Sequence, residues 1–120
     1  MTAVADASEL LAKLTELNEV YERNIPKEDV NNVDVTVARV DSVNNAVGTP
    51  GNETFYSVDS EVEVQVFYAV DFSDFDGFEI KLLKLFTSEY WGISSPPTQS
   101  TDPDTYQVTS TFYFNRTKYI

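Results

Sequence analysis

The sequence predicts an α+β fold: a mainly antiparallel sheet of about four strands with two helices packed on one face. Three observations carry this expectation. From Val58 to Val70, apolar and polar residues alternate with period two, the signature of a strand with one buried and one wet face. Directly after it, apolar residues recur at helical spacing from Phe75 to Phe86. Around this pair the elements run helix, strand, loop, strand, helix, short strand, strand. Adjacent strands accompanied by two helices fit an α+β sandwich better than alternating βαβ units.

The first helix is expected to begin at Asp6, with Glu9 at capping-box spacing. Leu10, Leu11, Leu14, Leu17 and Tyr21 form its apolar stripe, and Glu16, Glu19 and Glu22 its acidic outer side. Asn24, Pro26, Lys27 and the acids after them read as a connecting loop. Val33, Val35 and Val37 alternate with Asp34, Thr36 and Ala38, which predicts a strand reaching Val40 or Val43. Asn44 to Asn52 is rich in Asn, Gly and Pro and reads as a turn segment, long for a hairpin connection. Phe55 and Tyr56 restart extended structure. In the strand that follows, Val58, Val62, Val64, Val66, Tyr68 and Val70 share one face with Ser60. Asp59, Glu61, Glu63 and Gln65 take the other. β-Branched valines fit the pleat, and burying each contributes roughly 1.5–3 kcal/mol.

Ser73 is the expected N-cap of the second helix, with Asp76 three residues on and Asp74 and Glu79 adding charge near its positive end. Phe75, Phe78, Leu82, Leu83 and Phe86 define its apolar face. Gly77 marks either a fraying first turn or a close backbone approach. Tyr90, Trp91 and Ile93 predict a short strand, Ser94 to Thr105 an exposed loop, and Tyr106 to Lys118 a last strand.

At 120 residues, with 42% apolar and 13% aromatic content, the chain is expected to form a single domain, residues 1–120, with a core of its own. It contains neither cysteine nor histidine. That removes disulfides, thiolate zinc sites, the cysteine nucleophile and the commonest general base. No apolar run of membrane-spanning length or secretory leader is expected, so the default location is an intracellular, reducing compartment. The net charge of −12 resides in residues 1–76, which hold sixteen acids and four bases; residues 77–120 balance. So acidic a chain repels nucleic-acid phosphate rather than gripping it. Carboxylates are the remaining metal-ligand side chains. Asp71, Asp74 and Asp76, or Asp102 and Asp104, would suit Mg²⁺ or Ca²⁺, but helix capping and a turn explain them more simply. There is no Gly-rich phosphate loop or G-x-S-x-G elbow. No enzyme activity, cofactor or metal is expected.

The stretches Asn24-Ile25-Pro26, Glu63-Val64-Gln65-Val66-Phe67-Tyr68, Trp91, Asp102-Pro103-Asp104 and Thr111-Phe112-Tyr113-Phe114-Asn115-Arg116-Thr117-Lys118, in that order across nearly the whole chain, resemble a family of small tail-completion, or tail-terminator, proteins of long-tailed phages infecting Gram-positive bacteria. The resemblance implies a structural virion protein of the phage neck, assembled in the host cytoplasm. It implies a ring, usually hexameric, on the head-proximal end of the tail tube. Such a ring stops tube polymerisation, meets the head-completion proteins and lets double-stranded DNA pass without specific binding, and it has no membrane partner. The competing readings are a head-completion or stopper connector, or a carboxylate-based metal-binding module or enzyme. The acidic row Asp59, Glu61 and Glu63 then has two open placements, lining the lumen or an inter-subunit surface, or facing solvent on the ring exterior. Phe55, Tyr56, Tyr90, Trp91, Tyr113 and Tyr119 are the expected interface anchors.

Overall fold

Val62, Val64 and Val66 are fully buried because their strand is the middle of five. In a computed structural model the chain is described over residues 2–25, 34–51 and 54–119, with 44–51, 54–57 and 119 described by backbone alone. The elements are α1 (Ala3–Leu11), β1 (Glu19–Glu22), β2 (Val37–Gly51), β3 (Thr54–Phe67), α2 (Phe75–Ser88), β4 (Gly92–Thr101) and β5 (Val108–Tyr119). The strands form one sheet in the order β1-β2-β3-β5-β4. Every pairing is antiparallel except β1 with β2, which is parallel. The α+β class therefore holds, but the sheet is mixed and has five strands rather than about four.

The period-two reading of β3 matches its burial. Ser60, Val62, Val64 and Val66 point into the core, as does Tyr68 just beyond the strand. They meet Ala38 and Val40 from β2, Phe112 and Phe114 from β5, and the buried residues of both helices. Both helices thus cover one sheet face. Phe86 stacks on Phe114 with ring centroids 4.2 Å apart. Tyr68 meets Phe75 and Phe78 edge-on at 4.8 and 5.8 Å. Such aromatic pairs contribute about 0.5–1.5 kcal/mol beyond their buried area. Val70 lies past the end of β3 and is exposed, not part of the core wall.

Several boundaries differ from the sequence expectation. The N-cap of α1 is Thr2, whose hydroxyl accepts from the Ala5 N–H at 3.1 Å, and not Asp6. The helix stops at Leu11, where tighter i→i−3 bonds from Lys13 to Leu10 and from Leu14 to Leu11 take over. Leu14 and Leu17 still reach the core from that turn, so the apolar spacing was real while the helix was not. Asn18 then captures the chain. Its N–H donates to the Thr36 carbonyl at 2.7 Å, and its Oδ1 accepts from the Thr36 N–H at 2.9 Å. Tyr21 accordingly lies in β1.

Val35 precedes β2 rather than lying in it. Asn44 to Gly51, expected as a loop, is the second half of β2. It pairs with β3 from Asn44↔Glu61 to Gly51↔Thr54 past a bulge between Ser42 and Asn44. The continuous partner strand overrides weak strand propensity. The N-cap of α2 is Asp74 rather than Ser73; its Oδ1 accepts from the Gly77 N–H at 3.1 Å. A Cβ on Gly77 would collide with that same carboxylate, so the glycine marks a close approach. The Ser/Pro-rich stretch expected as a loop forms most of β4. Pro96 and Pro97 fall where the pairing jumps from Ser95↔Tyr113 to Thr98↔Thr111, and β4 is an edge strand that tolerates their missing donors. Pro26 to Val33, including the expected start of β2 at Val33, lies outside the described residues.

Candidate functional site

The sheet face opposite the helices carries the acidic row. Asp59, Glu61 and Glu63 project from alternate positions of β3, flanked by β2 and β5, which hold them in register. Asp59 is exposed, and Glu61 and Glu63 are half-buried. The row is not a bare file of charges. Glu63 Oε1 accepts from Arg39 Nη2 at 2.8 Å, and its Oε2 accepts from the Tyr113 hydroxyl at 2.9 Å. Asp59 accepts from the Thr117 hydroxyl at 2.6 Å. Glu61, opposite Asn115, has no side-chain hydrogen bond among the described residues.

Arg39 is the hub of the lower part of this face. Its Nε donates to Gln65 Oε1 at 3.0 Å, its Nη1 donates to the Arg23 carbonyl at 3.1 Å, and Asp41 lies 3.5 Å from the same nitrogen. Arg39 thus pairs with two carboxylates of this face, Asp41 and Glu63, while Asp59 and Glu61 lie further along β3. The Glu63 carboxylate, as acceptor and as neighbouring charge, holds the Tyr113 phenol above its ordinary value. Sequence alternation placed the acids on one face; it carried no sign of Arg39, which is distant in the chain and arrives through strand pairing.

The expected interface aromatics separate. Tyr113 lies on the acidic face, bound to Glu63. Tyr90 is 91% exposed, with φ of 67°. Trp91 is a correction: it is 4% exposed and packs in the core against Phe86, with the Arg116 guanidinium 4.7 Å from its ring centroid. Burial makes it a structural anchor of the helix end, with only an edge left at the cleft between α1 and α2. Phe55, Tyr56 and Tyr119 lie in strands by backbone; their side chains fall outside the described residues. Sequence reading missed Tyr106, 75% exposed with φ of 60°, because it was assigned to the last strand.

Two other places hold clustered polar groups. An open cleft of about 280 Å³ between α1 and the end of α2 is lined by Asp6, Glu9, Lys13, Glu89, Trp91 and Arg116. There Arg116 Nη2 donates to Asp6 at 2.6 Å, tying α1 to β5. Under α2, one oxygen of Glu79 accepts from the Tyr68 hydroxyl at 3.1 Å, the Ser110 hydroxyl at 2.8 Å and the Gln99 amide. This joins α2 to three segments of the sheet layer. Among the described residues no group of three or more acidic side chains is arranged to hold a metal ion. Nor is any described helix long and apolar enough to cross a membrane. Asp102 closes a turn, accepting from the Asp104 N–H at 2.8 Å.

A family model described as "Protein of unknown function (DUF806)" matches residues 2–118. The chain belongs to the DUF806 family. The match spans both helices and all five strands but for Tyr119 at the end of β5, so the acidic face and the hairpin of β2 and β3 lie within the DUF806 region. No curated protein matched the chain.

Proposed function

We propose that this DUF806 protein is a structural virion subunit, a tail terminator that caps the phage tail tube as a ring. In that role it ends tube growth and joins the tail to head-completion proteins, while double-stranded DNA passes through the lumen. The observation that carries the reading is the helix-free sheet face with its tiered carboxylates. A wall facing passing DNA must not hold it, and a face where carboxylates outnumber the one arginine that pairs with two of them repels phosphate. The acids sit on a strand, where side chains stand nearly perpendicular to the sheet, so the row cannot fold away from a bore. The resemblance of the strand and C-terminal motifs to tail-terminator proteins supports the same assignment.

The role is structural rather than catalytic, with no cofactor. The partners are other copies of the chain in a ring of six, the tail tube protein and the head-side connector. The location is the virion neck, reached through the host cytoplasm. The test is binding: a terminator sediments with purified tail tubes, whereas a stopper sediments with the portal-side ring instead.

A further inference from the structure

The sheet changes width along its length. β1 covers β2 only as far as Val40, and β4 covers β5 only as far as Asn115. Beyond those points the sheet is a three-stranded ribbon of β2, β3 and β5, which lengthens the molecule to 54 Å against 29 and 24 Å in the other directions. Apart from β3, no described strand lies beside β2 from Asn44 to Gly51, or beside β5 from Arg116 to Tyr119. Among the described residues this ribbon thus carries two edges with no further strand, on opposite sides.

The sheet's other edges are protected. β1 has four residues and exposes Glu19 and Glu22, and β4 is broken by Pro96-Pro97. Short length, charge and proline are the usual devices against strand addition. Asn44 to Gly51 carries no charge and, before its last two residues, no proline. Its outer backbone donors and acceptors, which no described strand pairs with, form a template for another strand.

We propose that the Asn44–Gly51 edge of β2 pairs with the Arg116–Tyr119 edge of β5 in a second copy of this chain. The proposal rests on the ring reading above and names the surface that closes the ring. Strand direction selects the occupant. β2 and β5 both run antiparallel to β3, so they run parallel to each other. Rotation about an axis along the strands therefore brings β2 of one copy beside β5 of the next, in parallel, and the contact repeats until the ring closes. Pairing of β2 with β2 would need a two-fold axis and would stop at a dimer. Each copy adds three strands, or about 14 Å of wall. Six copies make a barrel of about eighteen strands, a size that leaves an aqueous channel. The helices take the outside, and the face bearing Asp59, Glu61 and Glu63 turns inward.

The chain has no cysteine, so introduced thiols report without background. The double variant Asn45→Cys with Lys118→Cys, whose positions share the Ser60 and Val58 face of the sheet, is treated with a bifunctional maleimide reaching about 10 Å, two strand spacings, which tolerates register shifts. Each single variant is treated in parallel, and circular dichroism establishes that all three fold. The expected result is a covalent ladder from the double variant that ends at the ring size, with both single variants staying monomeric. Dimers from Asn45→Cys alone would overturn the proposal in favour of two-fold pairing. Rings visible by electron microscopy without a ladder would overturn the edge pairing and leave the ring reading standing. Neither rings nor ladder, in concentrated protein or on tube ends, would overturn both.

Discussion

At the scale of single residues, two neighbours on β3 separate core from face. Val64 is fully buried among the helices, whereas Glu63 faces the other way and bonds Arg39 and Tyr113. Val64→Asp places an uncompensated charge in the core and is expected to abolish the cooperative thermal transition. Glu63→Gln keeps an oxygen to accept from Arg39 and gains an N–H that the Tyr113 hydroxyl can accept, and is expected to cost less than about 1 kcal/mol, as half-exposed ion pairs do. Equal melting curves for the two variants would mean that the strand faces are assigned backwards. The phenols give a second residue-scale test. Burial foremost, then the Glu79 carboxylate, pushes Tyr68 well above the ordinary 10.0 against the opposing Ser110 hydroxyl. The hydrogen bond to Glu63 raises Tyr113. A pKa raised by folding stabilises below the unfolded value and loses that contribution as pH rises through the folded one. Alkaline titration followed by ultraviolet absorbance is therefore expected to show Tyr68 and Tyr113 titrating late. Tyr68→Phe and Tyr113→Phe should each remove one laggard, and simultaneous titration of all seven tyrosines would contradict the network.

At the scale of elements, the end of α2 is built at a local cost. Tyr90 N–H donates to the Thr87 carbonyl at 3.2 Å and Trp91 N–H to the Phe86 carbonyl at 3.1 Å, while Trp91 packs on Phe86. This is a Schellman motif whose left-handed position, normally glycine, holds a tyrosine with φ of 67°. The left-handed conformation costs a side-chain-bearing residue roughly 1–2 kcal/mol, and the ring gains little from the fold, being almost wholly exposed. Tyr90→Gly is expected to raise the melting temperature by a few degrees and to weaken ring or tube association. A variant with both stability and association unchanged would remove Tyr90 from the interface. The elements also show what a sequence can disclose. β3 and α2 were legible because their own residues repeat at the right period over a dozen positions. The second half of β2 and most of β4 were not, because Asn, Gly, Ser and Pro there are held extended by a neighbouring strand rather than by their own preference. α1 was overextended because Leu14 and Leu17 satisfy helical spacing from a turn. At the candidate face, the acids were legible from alternation. Arg39 and the burial of Trp91 were not, since both depend on which distant segments meet.

At the scale of the whole molecule, charge and shape together motivate the proposed role. The acidic half of the sequence supplies β2 and β3, so the helix-free face of the ribbon is negative, while the more neutral C-terminal half supplies β4, β5 and most of α2. Replacing Asp59, Glu61 and Glu63 together with lysine turns the row from −3 to +3 without touching the buried face. If the row lines the bore, tails are expected to assemble while DNA passage slows, with the delay relieved by salt because each lysine binds phosphate by displacing counterions. If the row lies between copies, ring formation fails instead. Normal assembly with salt-independent ejection would leave the row a solvated surface. The central claim, that the chain closes as a ring on the tail tube, is tested most directly by electron microscopy of the purified protein mixed with purified tail tubes. The account predicts a ring with a central channel at one end of each tube and an arrest of further tube growth. Tubes with bare ends that continue to grow, with the protein bound instead to the portal-side ring, would contradict it.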